Sequence, residues 1–282
     1  MKIALGTAQF GLDYGVTNSS GQVSIDTVGS ILAMAEANGV SVLDTAIAYG
    51  NSEETLGHFE LSNFKVISKI PSMTKVKASI EQLVCESLAR LNIPRLYGLM
   101  LHDESDAVLN EDTYLAELQK IKEIGLVEKV GVSFYSPQKA LECIQTGLVD
   151  IIQIPASQLD CRFEDAGVYS LADKFGVEVH VRSIFLQGLL ALKDAQRPTR
   201  FQGHSDLIRF DDYANSIGLS PFELALMYLH DNKSVDYGVL GCTNIAQFAE
   251  MLEAYTTLKT LTDNENPQLS STDDILLNPS KW

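Results

Sequence analysis

Eight short segments rich in Val, Ile and Leu recur along the chain, and each is bounded by polar residues or glycine. Runs of this kind are typical of strands that are buried on both faces of a parallel sheet. The sequence therefore predicts eight strands of similar length, at residues 2–7, 40–46, 64–70, 96–102, 127–133, 149–155, 177–183 and 235–241.

The segments between these strands carry apolar residues at helical spacing together with helix-start signals. Ser24 precedes one such segment, and Ser136 and Ser220 each precede a proline at the first helical position. Glu223 completes a predicted capping box with Ser220, and Asn244 is the predicted cap of a later helix. Strands therefore alternate with helices from one end of the chain to the other.

Eight such units within 282 residues predict one α/β domain over residues 1–282, the eight-stranded parallel (β/α)8 TIM barrel. A doubly wound open sheet is the alternative. That fold usually carries G-x-G-x-x-G after its first strand, and Gly6, Gly11 and Gly15 do not have this spacing.

Three segments do not fit the regular alternation. Residues 8–24 and 184–220 are unusually long, and we expect them at the carboxyl ends of the strands, where the active sites of such barrels lie. A polar and acidic tail begins at about residue 260 and ends in apolar residues, so we expect its end to pack back on the barrel.

The composition excludes several classes of partner. The chain has 37 Asp and Glu against 21 Lys and Arg, and a net charge of −16 argues against nucleic acid or an anionic membrane. The first residues are too short in apolar character for a signal-peptide core, so we expect no signal peptide, and no apolar run reaches about 18 residues. The cysteines form no C-x-x-C pair and the histidines form no H-E-x-x-H motif, so we expect a cytoplasmic protein with reduced cysteines and no metal site.

Ionisable residues end three consecutive predicted strands, which is unusual for buried strands. Asp44, Lys69 and His102 occupy these positions, and Tyr49 follows Asp44 by five residues. In a barrel these four side chains converge on one opening. Reduction of a carbonyl by hydride needs a proton donor and electrostatic stabilisation at the carbonyl oxygen. A tyrosine can donate that proton, and a neighbouring lysine ammonium is expected to lower its pKa.

These residues stand in motifs that resemble the aldo-keto reductases: DTAIAYGNSEETLG from Asp44, the lysine of VISKI, the histidine of LMLHD and the segment GVSFYSP. The resemblance covers most of the chain. It implies NAD(P)H-dependent reduction of an aldehyde or ketone, such as a sugar or another small polar carbonyl compound. It also implies that Tyr49 is the general acid, that Lys69 and Asp44 tune it, and that His102 orients the carbonyl.

The resemblance further implies a binding groove for NADP(H), with use of NAD(H) also plausible. The matching positions are Ser133, Gln153, Arg182, Ser183, Gln187, Gly188, Gly241, Thr243, Asn244 and Gln247. Family members commonly pair the 2′-phosphate of NADP(H) with Arg or Lys after strand eight, but no Lys or Arg lies between Lys233 and Lys259. Lys193 or Arg197 from the long segment after strand seven could supply the missing charge, so we expect modest selectivity.

Two further positions depart from the family pattern. Phe134 stands where the family commonly has an asparagine that contacts the nicotinamide carboxamide. Arg182 stands where the family commonly has an aromatic residue that stacks on the nicotinamide; a guanidinium can also stack, or it could bind an anionic substrate. Because residues 2–7 already form the predicted first strand, we expect the hairpin that usually plugs the barrel floor to be absent and side chains to close the floor.

Two other functions remain alternatives at this point. One is a non-catalytic regulatory barrel that binds a nicotinamide nucleotide, although all four catalytic residues are present. The other is an aldolase that forms a Schiff base on Lys69, although such an amine must be neutral and Asp44 favours its charged form.

Overall fold

All eight predicted strand segments form strands in the computed structural model, which describes residues 1–15, 18, 21–107, 114–258 and 269–282. Most strands are shorter than the apolar runs that predicted them; at residue 40, for example, the Val40 amide still donates to Ala35 and closes the preceding helix. The strands are β1 (Ile3–Gly6), β2 (Val42–Asp44), β3 (Lys65–Ile70), β4 (Leu96–Leu101), β5 (Val127–Ser133), β6 (Ile151–Pro155), β7 (Glu178–Arg182) and β8 (Tyr237–Gly241).

Helices connect the strands, and the predicted caps are confirmed. Oxygen atoms of the Ser24, Ser136, Ser220 and Asn244 side chains each accept a hydrogen bond from a first-turn amide, and Glu223 completes its capping box. The helices of the described residues are α1 (Ala8–Gly11), α2 (Ile25–Ala37), α3 (Ser52–Leu56), α4 (Ile80–Leu91), α5 (Tyr114–Glu123), α6 (Pro137–Gln145), α7 (Arg162–Asp165), α8 (Val168–Phe175), α9 (Ser205–Ser216), α10 (Pro221–Asp231), α11 (Ile245–Thr257) and α12 (Asp274–Leu277).

The sheet closes on itself as a parallel barrel in chain order. Ala4 of β1 is in register with Val42 of β2 on one side and with Val239 of β8 on the other. The predicted (β/α)8 barrel is therefore confirmed as a single domain, and the open doubly wound sheet is excluded. Because all strands point the same way, the residues that end β2 to β8 meet at one opening, the mouth of the barrel.

The opposite end of the barrel is closed by a polar cluster at the amino-terminal ends of β4, β5 and β7. Tyr97 and Lys129 both donate hydrogen bonds to Oε1 of Glu178, at 2.7 and 2.5 Å, and Nε2 of His180 lies 3.3 Å from its Oε2. We call these four residues the floor cluster. Their side chains meet at the end of the barrel opposite the mouth.

The end of the chain packs on the barrel. Leu276 and Leu277 are buried, and the Trp282 ring lies 4.8 Å from the ring of Phe201. The predicted start of the tail, at about residue 260, lies outside the described residues.

All four cysteines are free; Cys143 and Cys242 lie in the core, whereas Cys85 is exposed. Within the described ranges, no helix is long and apolar enough to cross a membrane, and no group of three or more His, Cys, Asp or Glu side chains could hold a metal ion.

Candidate active site

The mouth of the barrel contains a buried ion pair. Asp44 ends β2 and Lys69 lies near the end of β3, and both side chains are almost fully buried. The Lys69 ammonium donates to Oδ1 of Asp44 at 2.5 Å and to the Thr45 carbonyl at 3.0 Å. Burial alone would lower the pKa of Lys69, but Asp44 and Tyr49 raise it above its usual value. The amine therefore stays charged, which disfavours the Schiff-base aldolase.

Gln153 of β6 is held by the other oxygen of the same carboxylate. Its Nε2 donates to Oδ2 of Asp44 at 2.8 Å. Because an ionised carboxylate can only accept hydrogen bonds, the amide nitrogen must face Asp44. The amide oxygen is therefore left to accept a hydrogen bond from another donor, such as a carboxamide.

Tyr49 lies on a tight turn that two glycines make possible. A Cβ on Gly11 would lie 1.8 Å from the Tyr49 carbonyl oxygen, and Gly50 has a φ of +57°, which favours glycine. The turn places the Tyr49 ring 5.2 Å from the Lys69 ammonium. Burial raises the pKa of the phenol, and Lys69 lowers it by its charge and by hydrogen bonding. Lys69 acts in the expected direction, but burial outweighs it, so the net pKa is raised and the phenol keeps its proton at neutral pH.

His102 follows β4 directly, and its backbone amide donates to the Ile70 carbonyl at 3.0 Å. Its ring meets the Tyr49 ring edge to face, with centres 5.8 Å apart. Burial, followed by the positive charge of Lys69, lowers the pKa of His102 to about 4. The imidazole is therefore neutral at pH 7 and can donate one hydrogen bond to a carbonyl oxygen without acting as the acid.

A cleft of about 800 Å³ lies above the ion pair at the mouth. Asp44, Tyr49 and His102 line it, whereas Lys69 lies beneath and is bonded to Asp44. The structure brings most of the predicted nucleotide residues to the same cleft, namely Ser133, Gln153, Arg182, Ser183, Gln187, Gly188, Gly241, Thr243 and Gln247. Asn244 is not part of the lining; its Oδ1 caps α11 by accepting the Gln247 amide at 2.9 Å.

The segment after β7 follows an unusual backbone path along the cleft. Ser183, Leu186 and Gln187 have φ angles of +64°, +45° and +53°, and Gly188 has a φ of +92°. Non-glycine residues in this region of φ carry a conformational cost and occur mainly where a ligand or a switch requires them. Ser183, Gln187 and Gly188 of this segment line the cleft.

The two departures from the family pattern have different outcomes. Phe134 is fully buried in the core, so its side chain does not line the cleft. Arg182 does line it, where its Nη2 donates to the Phe134 carbonyl at 3.2 Å and its guanidinium stacks on the Tyr135 ring at 4.1 Å.

The end of the cleft near β8 contains neutral and acidic groups. The amide and hydroxyl of Thr243 both donate to Oε1 of Gln247, at 2.9 and 2.8 Å, and Glu250 also lines this end. Among the described residues that line the cleft, Arg182 is the only Lys or Arg. Arg197 does not supply the missing charge, because it is buried and paired with Asp211 at 2.6 Å.

Sequence reasoning missed several residues of the cleft. One of them is Gln9 of α1, which packs closely on the end of β8, since a Cβ on Gly241 would lie 2.6 Å from its side chain. Phe185 and Phe222 stack with ring centres 5.1 Å apart, and Tyr135 and Glu250 also line the cleft. Tyr135 and Phe185 come shortly after the carboxyl ends of predicted strands, which is their one sequence signal, whereas Phe222 and Glu250 lie within α10 and α11 and have no such signal.

Comparisons with known proteins agree with the fold. The model of the Aldo/keto reductase family matches residues 2–274, and the chain belongs to that family. Among solved structures, it is similar to the aldo-keto reductase AKR11C1 from Bacillus halodurans. The holo form has a TM-score of 0.76 and 19% identity, and the apo form 0.75 and 22%; in both, 95% of this chain and 90% of that chain are covered. No curated protein matches the chain.

Proposed function

We propose that the chain is a nicotinamide-nucleotide-dependent reductase of small polar aldehydes or ketones, with Tyr49 as the proton donor. The observation that carries this proposal is the arrangement of the mouth. A protonated phenol and a neutral imidazole line one cleft, and the Asp44–Lys69 ion pair lies beside the phenol. Membership of the family implies carbonyl reduction of this kind.

The residues of the cleft fit a nicotinamide nucleotide. The amide oxygen of Gln153 and the Ser133 hydroxyl suit a carboxamide, since one accepts a hydrogen bond and the other can also donate. The segment from Ser183 to Gly188 and the end of β8 at Gly241 and Thr243 line the remaining length of the cleft and would hold the rest of the molecule. When bound, the nucleotide supplies the hydride.

Each side chain of the mouth has a separate task in this proposal. The Tyr49 phenol gives its proton to the carbonyl oxygen of the substrate as that oxygen gains negative charge. The Lys69 ammonium stabilises the resulting phenolate, and Asp44 holds the ammonium in place. The neutral His102 donates a hydrogen bond to the same carbonyl oxygen and fixes its orientation. All four residues are present, which favours an enzyme over a non-catalytic regulatory barrel.

The expected nucleotide preference follows from the end of the cleft near β8, where no Lys or Arg of the described residues lies. The family resemblance favours NADP(H), but strong discrimination against NAD(H) needs a cation that pairs with the 2′-phosphate. Thr243 and Gln247 offer neutral hydrogen-bonding groups, which are weaker partners. We therefore expect NADPH to be the better cofactor, with measurable use of NADH.

A turnover screen of carbonyl compounds with NADPH and with NADH tests this function. We expect oxidation of the reduced nucleotide with at least one sugar-like or other polar carbonyl compound, and a ratio of catalytic efficiencies below about 10³. A larger ratio would reveal a cation that pairs with the 2′-phosphate. Tight nucleotide binding without turnover on any compound would favour the regulatory barrel instead.

A further inference from the structure

Arg182 places a positive charge at the reacting end of the cleft. It ends β7, is half-buried and lines the cleft together with Tyr49 and His102. Burial determines the direction of the pKa shifts of Tyr49, His102 and Tyr14, and the charge of Arg182 acts on all three groups. The guanidinium is therefore close enough to influence the chemistry of this end of the cleft.

No acidic side chain of the described residues forms an ion pair with Arg182, although the chain has a net charge of −16. Asp44 is paired with Lys69 at 2.5 Å, and Glu104 is paired with Lys139 at 3.1 Å. The contacts of the guanidinium are the neutral carbonyl of Phe134 and the ring of Tyr135. The mouth therefore carries a positive charge that the described residues do not neutralise.

This charge affects the two redox forms of a nicotinamide nucleotide differently. The nicotinamide ring is neutral in the reduced form and positively charged in the oxidised form. Like charges repel, and the repulsion is stronger in a partly buried cleft than in water. We propose, on the basis of the proposed function, that Arg182 makes the cleft bind the reduced nucleotide more tightly than the oxidised one.

The consequence is a site adapted to reduction. The nucleotide enters in its preferred neutral form, and its oxidised form leaves more readily after the reaction. An uncharged stacking residue at position 182 could hold both forms without this distinction. The guanidinium keeps a flat face for stacking and adds the charge.

Nucleotide binding tests the proposal without any turnover. Dissociation constants for NADPH and NADP⁺ are measured by calorimetry on the full chain and on the variants Arg182→Met and Arg182→Lys. We expect the oxidised form to bind about tenfold or more weakly than the reduced form, and Arg182→Met to reduce that ratio by about tenfold. Arg182→Lys keeps the charge and should retain most of the ratio.

Arg95→Met is the matched control. It also removes one guanidinium, but Arg95 is largely exposed and paired with Glu128 at the opposite end of the barrel. The ratio should not change in this variant. Thermal unfolding of each variant checks that the fold is intact.

An unchanged ratio in Arg182→Met would overturn the proposal. If both dissociation constants rise together, Arg182 only packs against the nucleotide; if neither changes but anionic carbonyl compounds bind more weakly, it recognises the substrate. Equal affinity of the wild-type protein for both forms would overturn this inference alone, whereas absence of any nucleotide binding would overturn the proposed function.

Discussion

The mouth and the floor of the barrel contain the same four types of side chain. Each has a tyrosine, a lysine, a carboxylate and a histidine: Tyr49, Lys69, Asp44 and His102 at the mouth, and the floor cluster of Tyr97, Lys129, Glu178 and His180. The two sets differ in how their members are connected. In both sets a lysine ammonium lies 5.2 Å from the tyrosine ring. At the floor, the tyrosine donates directly to the carboxylate, whereas at the mouth the carboxylate accepts from Lys69 and Gln153.

This difference shows why residue types alone do not define a catalytic site. The Tyr97 proton is held by Glu178, and burial together with this hydrogen bond raises the pKa of Tyr97 to about 12. Lys129 and His180 also contact Glu178, so the carboxylate binds all three neighbours. At the mouth, Asp44 binds Lys69 and Gln153, and Tyr49 and His102 line a cleft that can admit a substrate.

The largest expected difference between the two ends concerns the tyrosines. Tyr49→Phe removes the proposed proton donor, so carbonyl reduction should fall by about 10²-fold or more while nucleotide affinity is kept. Tyr97→Phe removes one hydrogen bond to Glu178 and should cost about 1–2 kcal/mol of stability. Its kcat/KM should stay within about twofold of the wild type. Steady-state kinetics and urea unfolding measure both effects, and near-normal turnover of Tyr49→Phe would refute its role as the acid.

The lysines provide the second comparison. Lys69→Met leaves the buried Asp44 without its cation, which should lower the free energy of unfolding by about 3–5 kcal/mol and remove most activity. Lys129→Met should be milder, because Glu178 keeps its contacts with Tyr97 and His180 and is partly exposed.

The double variant Lys69→Met/Asp44→Asn separates stability from chemistry. It removes both buried charges, so it should be more stable than Lys69→Met but equally inactive. Recovery of turnover would show that the ammonium does not tune Tyr49.

Much of the fold could be predicted from the sequence because strands and helices leave local patterns. The alternation of apolar runs predicted β1 to β8, and short-range signals predicted the caps at Ser24 and Asn244. The predicted ends of the strands were less accurate than the prediction of the strands themselves. They depend on which backbone groups find partners, as at Val40, whose amide bonds to the preceding helix.

The candidate site was predicted where a motif and the barrel topology agreed, as for Tyr49 and His102. Lys69 lowers the pKa of Tyr49 as expected, but the net pKa is raised, because burial of a side chain cannot be read from local sequence and here outweighs the charge of Lys69. The floor cluster was not identified for a similar reason. Tyr97, Lys129 and Glu178 lie on three different strands and meet only when the barrel closes.

Acid should destabilise the floor of the barrel through Glu178. Burial alone would raise the pKa of Glu178, but hydrogen bonds from His180, Lys129 and Tyr97 lower it to about 2 from a usual value of 4.5. The carboxylate therefore contributes stability that is complete above pH 4.5 and is lost as the pH falls toward 2. Urea unfolding at several pH values should show a loss of up to a few kcal/mol in the wild type that Glu178→Gln lacks. Parallel loss in both proteins would show that other carboxylates dominate.

The smallest expected effect is that the pH profile of kcat/KM shows no titration of a histidine at the mouth. An ordinary histidine changes charge near pH 6.5, but burial and the positive charge of Lys69 lower the pKa of His102 to about 4. Because His102 is already neutral, kcat/KM for carbonyl reduction should stay flat between about pH 5 and pH 7.5. His180→Gln at the floor should leave this profile unchanged, since its ring contacts Glu178 and not the cleft. A decline centred near pH 6.5 that His102→Gln abolishes would mean that His102 donates the catalytic proton. The assignment of Tyr49 as the acid would then be wrong.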